Sequence, residues 1–336
     1  MPFISQIAKY KSLSIVGLDK NTGKTVCLNY VLRRLNEEGI HVGVTSIGVD
    51  GEQVDSVFAT AKPEITLYQG SHFITSEKHY AVRQAESIIE DVSDRRTALG
   101  VLVTAKVLIP GKVLLSGAST TGLLKKQIHQ LSSLGCSVSI VDGALSRLSL
   151  ASPTITQAMI LATGAAVSAN IKQLIAKTKF QHNLISLTEV DTQLKTLLAD
   201  IEGGMWGIDA DNQPHDLGIS SVFLLGNDVS ALTQFGNRVF VSGAVTDRLL
   251  RLITPHHNPL TLVVRDFTKL FITPEVYADY CRHGHSIQVL QRSTLVAVTL
   301  NPTSPQGFKL DSDSTCAALS EALGIPVYDV MRIKHN

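Results

Sequence analysis

The chain has 336 residues, enough for two domains or one large α/β domain, and 44% of them are hydrophobic, so a full core can be buried. Lysines and arginines number 30 against 29 acidic residues, which leaves no basic excess of the kind a dedicated nucleic-acid binder shows. The four cysteines, Cys27, Cys136, Cys281 and Cys316, form no C-x-x-C pair, which argues against a zinc cluster or a disulfide framework and for a reducing compartment.

In chain order, residues 1–11 carry lysines but no long apolar stretch, so neither a signal peptide nor a transit sequence is read there and a cytoplasmic protein is expected. A short apolar strand at 13–16 enters a glycine loop, and a helix follows at 25–38. A strand at 41–46, a helix at 77–91, a strand at 113–116, a helix at 122–134 and a strand at 137–141 come next. The most apolar region, 99–117, is interrupted by Lys106, Pro110 and Lys112 and reads as buried strands rather than a membrane span. Helices are expected at 152–166, 170–178 and 191–201, with a strand at 184–187. Residues 202–218, rich in Gly, Asp, Asn and Pro, break the pattern and read as a linker or loop. Beyond it, strands at 222–225, 239–242, 260–264, 287–290, 295–300 and 327–330 alternate with helices at 228–235, 246–253, 274–283 and 312–323. Alternating units of this kind predict an α/β protein with a mainly parallel sheet and helices on both faces. The expected division is a first domain at 1–201, the linker at 202–218 and a second, smaller α/β domain at 219–336.

The chemistry concentrates after the first strand, where residues 13–25 read L-S-I-V-G-L-D-K-N-T-G-K-T. Strand, glycine loop, Lys-Thr and helix form the arrangement that binds nucleotide phosphates. A loop that opens a helix points free backbone N–H groups at one spot, and the helix dipole adds positive potential there. Gly17, Asn21, Thr22, Gly23, Lys24 and Thr25 are the candidate nucleotide-binding residues, Lys24 reaching the β- and γ-phosphates and the Thr25 hydroxyl sitting on Mg²⁺. Leu18 occupies the first glycine position of the common G-x-x-x-x-G-K-[ST] pattern, and Gly17 stands one residue earlier.

Three further segments are candidates. At 137–147, S-V-S-I-V-D-G-A-L-S-R ends an apolar strand in Asp142, the expected second nucleotide element that organises Mg²⁺. At 45–55, T-S-I-G-V-D-G-E-Q-V-D offers Asp50, Glu52 and Asp55, and Asp50, soonest after the strand, is assigned beside Lys24 as catalytic. At 301–308, the stiff N-P-T-S-P-Q-G-F loop either shapes a pocket beside a strand end or is only a connection. The strings S-G-A-S-T-T-G-L-L and S-G-A-V-T-D-R-L-L echo one another, pairing Ser116, Gly117 and Thr120 with Ser242, Gly243 and Thr246. Two strand-to-helix turns capped by Thr explain the echo, and so does a duplicated half. His256-His257 and His283-x-His285 lack carboxylate or cysteine at ligand spacing, so no metal site is expected on them.

The loop resembles that of dethiobiotin synthetase, G-x-D-x-x-x-G-K-T, with Gly17, Asp19, Gly23, Lys24 and Thr25 matching in order. That resemblance implies a P-loop NTPase-like fold of the branch that includes ParA-like and nitrogenase-iron-protein-like ATPases. The loop, the 45–55 and 141–147 strings, A-S-P-T-I-T-Q-A-M-I-L-A-T-G-A at 151–165, V-S-G-A-V-T-D-R-L-L at 241–250 and T-L-N-P-T-S-P-Q-G-F at 299–308 together resemble the B subunit of lysine 5,6-aminomutase reactivase. This resemblance implies a cytoplasmic accessory that uses ATP and Mg²⁺ to release damaged cobalamin from a stalled adenosylcobalamin-dependent aminomutase, in company with a second reactivase subunit and with neither nucleic acid nor membrane as partner. Asp19 stands where that family more often has a small residue, and an acid there suits a phosphate only if it faces away or meets Lys20. ATP hydrolysis is one expectation. An ATP-dependent ligase or synthetase acting on a small carboxylated substrate is the alternative, and a binding module without hydrolysis is the third reading.

Overall fold

The structure, a computed structural model, describes residues 3–47, 64–97, 99–143, 151–226 and 229–333. The chain divides into two compact units, Met1–Thr178 with Thr294–Asn336, and Lys179–Ser293. In chain order the elements are α1 (Ile4–Ile7), β1 (Ser12–Gly17), α2 (Lys24–Glu37), β2 (Val42–Ser46), β3 (Ile65–Leu67), β4 (His72–Ser76), α3 (Glu77–Ala81), β5 (Glu86–Thr97), β6 (Gly100–Ile109), β7 (Gly111–Val113), α4 (Thr121–Ser133), β8 (Val138–Gly143) and β9 (Ala158–Gly164). There follow α5 (Ile171–Ile185), α6 (Thr192–Ala199), β10 (Met205–Ile208), β11 (Pro214–Ile219), β12 (Arg238–Val241), β13 (Val245–Thr246), α7 (Asp247–Ile253), β14 (Thr261–Val264), β15 (Leu270–Phe271), α8 (Pro274–Arg282) and β16 (Ser286–Val289). The chain closes with β17 (Thr294–Asn301), α9 (Ser312–Leu323) and β18 (Val327–Tyr328).

The first unit is built on a mixed, mainly parallel nine-stranded sheet in the order β18-β17-β9-β1-β8-β2-β4-β6-β5. Neighbours from β18 to β4 run parallel, and β6 and β5 add an antiparallel hairpin at one edge. β1 lies inside the sheet, Leu13 pairing with Ile140 of β8 and with Ala158 of β9, and all six of its residues are buried. Burial on both faces is why it reads as a continuous run rather than an alternating one. Leu13 and Ile15 of β1 and Val138 and Ile140 of β8 cluster with Cys27, Leu28, Val31 and Leu35 of α2. Val141 of β8 clusters instead with Leu124 of α4, and Ile74 of β4 with Leu131 of α4. Side chains alternate across a strand, so α2 and α4 cover opposite faces of the sheet.

The second unit contains a five-stranded sheet in the order β11-β10-β12-β14-β16. Its β12, β14 and β16 run parallel and β10 and β11 antiparallel. Phe240 and Val263 of this sheet pack with Leu194 and Leu198 of α6.

Several expectations from sequence are corrected. Where a helix is expected at 152–166, residues 158–164 form β9, whose A-M-I-L-A-T-G run is buried throughout between β1 and β17. The helix expected at 77–91 stops after the five residues of α3, and the chain then enters β5, paired along β6. Residues 184–187 are the end of α5 and the turn after it, not a strand, and Val222–Leu224 is a 3-10 helix. Residues 202–218 are not a linker: they contain β10 and most of β11, a hairpin turned with Asn212 in the left-handed region at φ 62°. The chain therefore does not divide at 202–218, and residues 294–336 belong with the first unit. The two echoed turns also differ. Thr120 caps α4 by accepting the Leu123 N–H at 3.2 Å, whereas Thr246 makes no side-chain cap on α7. Ser116 bonds Ser76 at 2.7 Å, and Ser242 donates to the Gly204 carbonyl at 2.9 Å. Each hydroxyl serves its own sheet.

Leu28 is fully buried between α2 and the sheet. Leu28→Ala is expected to cost about 2–5 kcal/mol, read as a lowered urea midpoint, while Lys126→Ala on the exposed side of α4 stays within about 0.5 kcal/mol of the parent.

Candidate functional site

Sheet order puts the β1–α2 loop where the topology changes direction. From β1 the chain passes through α2 to β2, on one side of β1, whereas β9 and β17 lie on the other. Ligands of open α/β sheets bind in the crevice at the carboxyl ends of the strands where this reversal occurs. Residues 18–23 occupy that place.

The loop is held by its own backbone. The Leu18 N–H still donates to the Ala162 carbonyl of β9 at 2.8 Å, one residue beyond the strand. The chain then turns: the Asp19 carboxylate accepts the Lys20 N–H at 2.7 Å, and the Asp19 carbonyl accepts the Thr22 hydroxyl at 2.9 Å. Asn21 and Gly23 lie in the left-handed region, at φ 60° and 88°. Gly17 is required by contact rather than by torsion, because a Cβ there would stand 2.3 Å from Thr22 Oγ1 and 2.9 Å from Lys24 Cγ. α2 then begins at Lys24 with Gly23 as its N-cap. No side chain caps it among the described residues, and its first turn carries no acid. The positive end of a 14-residue helix therefore meets the loop with no acid of its own first turn beside it.

The expected residues are distributed as follows. Gly17, Asn21, Thr22, Gly23, Lys24 and Thr25 come together in one corner between β1 and α2. Thr22 is 1% exposed and its hydroxyl is engaged with Asp19, so its side chain closes the loop and only its backbone is left for a ligand. Lys24 and Thr25 are half-buried on the first turn. Asp19 is exposed, and its carboxylate serves the turn. Asp142 lies within β8 rather than in an Asp-Gly turn, level with Ile15 on the adjacent β1. Val138 and Ile140 face α2, so the alternation turns Asp142 to that same face at the strand's carboxyl end. Asp50, Glu52 and Asp55 fall on residues outside those described.

Sequence reading missed Asn301, the last residue of β17. Its Nδ2 donates to the Asn21 carbonyl at 3.0 Å, across 280 residues of chain. A Cβ at Gly23 would stand 2.8 Å from Asn301 Cβ. The Asn301 carbonyl accepts the Ala165 N–H at 2.9 Å, and a Cβ at Gly164 would come 2.1 Å from that oxygen. The stiff N-P-T-S-P-Q-G-F loop thus begins at a loop contact, and Asn-Pro after an apolar strand was the available signal.

Beneath the loop, Cys27 is fully buried on α2. Burial pushes its thiol up to about 12, and a hydrogen bond with Thr299 of β17 offsets this in part. Cys136, on the α4 face, is likewise pushed up to about 12 by burial and by the Glu90 carboxylate.

No protein-family model, no curated protein and no solved structure matches this chain. No helix among the described residues is long and apolar enough to cross a membrane.

Two outcomes follow. Gly17→Ala forces Thr22 or Lys24 to move, so hydrogen exchange at the amides of residues 18–25 should quicken at least about tenfold without loss of the sheet's protected amides. Cys27 and Cys136 stay protonated and enclosed from pH 6 to 9, so a thiol reagent should label the exposed Cys281 in the native protein and reach Cys27 and Cys136 only after unfolding. Raising the pH within that window should not speed their labelling.

Proposed function

We propose that the chain is a P-loop NTPase-like protein that binds ATP with Mg²⁺ in the β1–α2 corner. The observation that carries this reading is the α2 N-terminus, opened by Gly23-Lys24 and free of a side-chain cap, at the carboxyl end of the internal strand where the sheet order reverses. Lys24 would pair with the β- and γ-phosphates, and backbone N–H groups of the loop and first turn would take the remaining phosphate oxygens. Thr25 and Asp142 would organise Mg²⁺, the first directly through its hydroxyl and the second from β8. Asp50, in the segment after β2, is the proposed catalytic residue beside Lys24, holding metal or positioning water.

On the sequence resemblance, the physiological role is an accessory in the cytoplasm that reactivates an adenosylcobalamin-dependent aminomutase together with a second reactivase subunit. Nucleotide binding would bias one of two arrangements of the protein, and the partner would read the change. The second, smaller domain of this reading, expected at 219–336, is supported over 219–293 by the Lys179–Ser293 unit.

Titration calorimetry tests the site. Wild-type protein should bind Mg-ATP, and Lys24→Ala should weaken binding about ten- to a hundredfold, the value of a charge-assisted hydrogen bond to phosphate. Asp142→Asn should reduce the dependence of binding on Mg²⁺. Equal ATP affinity in wild type and Lys24→Ala would remove the loop from any role. ATP turnover stimulated by a small carboxylic acid, with no aminomutase captured, would favour the ligase reading over the accessory.

A further inference from the structure

We propose that Asn301 is a positioning residue of this site: it fixes which groups of the loop face the ligand. The inference rests on the nucleotide-binding reading of the loop, and part of its test does not. Peptide units next to left-handed residues form a concave nest in which successive N–H groups point inward. Asn21 and Gly23, at φ 60° and 88°, place such a turn immediately before α2. A nest attracts an anion only if no carbonyl oxygen turns into it. The Asn21 carbonyl is the one at risk, because the peptide between Asn21 and Thr22 is bounded by a left-handed asparagine rather than by an element of regular structure. Asn301 Nδ2 donates to that oxygen at 3.0 Å and commits it.

Asn301 is itself held on three sides. Its Oδ1 accepts the Thr303 N–H at 3.2 Å, which orients the amide so that Nδ2 is the atom facing the loop. Its carbonyl accepts the Ala165 N–H at 2.9 Å. Its backbone continues β17, paired to β9 up to the register Asn301 to Gly164. Glycine at 164 and at 23 lets the neighbouring backbones approach this one residue, since a Cβ would come 2.1 Å from its carbonyl oxygen or 2.8 Å from its Cβ. Two strands, a rigid turn and two glycines therefore converge on a single amide that touches the loop. The loop enters the ligand-free state already set, so binding does not have to order it.

Asn301→Ala and Asn301→Asp test this. The second keeps the shape and replaces the donor with an oxygen that repels the Asn21 carbonyl. In ligand-free protein, both variants should exchange the amides of residues 18–24 about tenfold faster or more, with the melting temperature and the protection of β1 and β8 unchanged. With Mg-ATP, the dissociation constant should rise about tenfold for Asn301→Ala, the value of one lost hydrogen bond, and further for Asn301→Asp. Lowering the pH enough to protonate the introduced carboxyl restores a donor and should recover part of the loss in Asn301→Asp alone, which a purely structural role would not produce. Loop exchange and affinity both unchanged would overturn the assignment. Should wild-type protein bind no Mg-ATP, the nucleotide reading falls, and the ligand-free exchange alone decides whether Asn301 sets the loop.

Discussion

The reversal of the chain between Gly17 and Lys24 is the constraint on which everything else depends. An internal strand buried on both faces must end, turn and become a helix within six intervening residues. The turn has room for no Cβ at Gly17, where Thr22 and Lys24 press in, and none at Gly23, where Asn301 does. The Thr22 hydroxyl is spent on the Asp19 carbonyl, so this side chain closes the loop from inside. The start of α2 lies at the end of this turn, and a helix N-terminus there is the feature on which the proposed polyphosphate binding rests.

Position turns this local geometry into an argument about a site. The same turn on an edge strand would be a connection. Here it stands at the carboxyl end of β1, flanked by β8 and β9, with Asp142 on one side and Gly164 and Asn301 on the other. The sheet supplies rigidity, since β1, β8 and β9 are buried almost throughout and tied along their length. A phosphate site gains from such rigidity because donors already aligned cost little to order when the ligand arrives.

Much of this was legible in the sequence. β1, α2, β2, β8 and β17 follow from apolar runs and from glycine and lysine at fixed offsets, and the loop residues follow from the motif. β9 was not, because Ala, Met and Leu are good helix formers and a strand buried on both faces has no alternation to betray it. The β5–β6 hairpin was missed for the opposite reason: E-S-I-I-E-D carries charges at helical spacing, and pairing along β6 overrides that local preference. The break at 202–218 was a compositional inference, and the turn chemistry that suggested it, Asp209 to Asn212, is a hairpin turn inside a sheet. The 301–308 loop was singled out in the sequence, but which residue Asn301 touches was not, because that partner lies 280 residues away.

A structure of the protein with Mg-ATP or a non-hydrolysable analogue tests the central claim most directly. The account predicts the β- and γ-phosphates against the amides of residues 22–25, the Lys24 ammonium on them, and Mg²⁺ between Thr25 and the Asp142 side of the sheet. A nucleotide bound elsewhere, with residues 17–25 unchanged and bare, would contradict it.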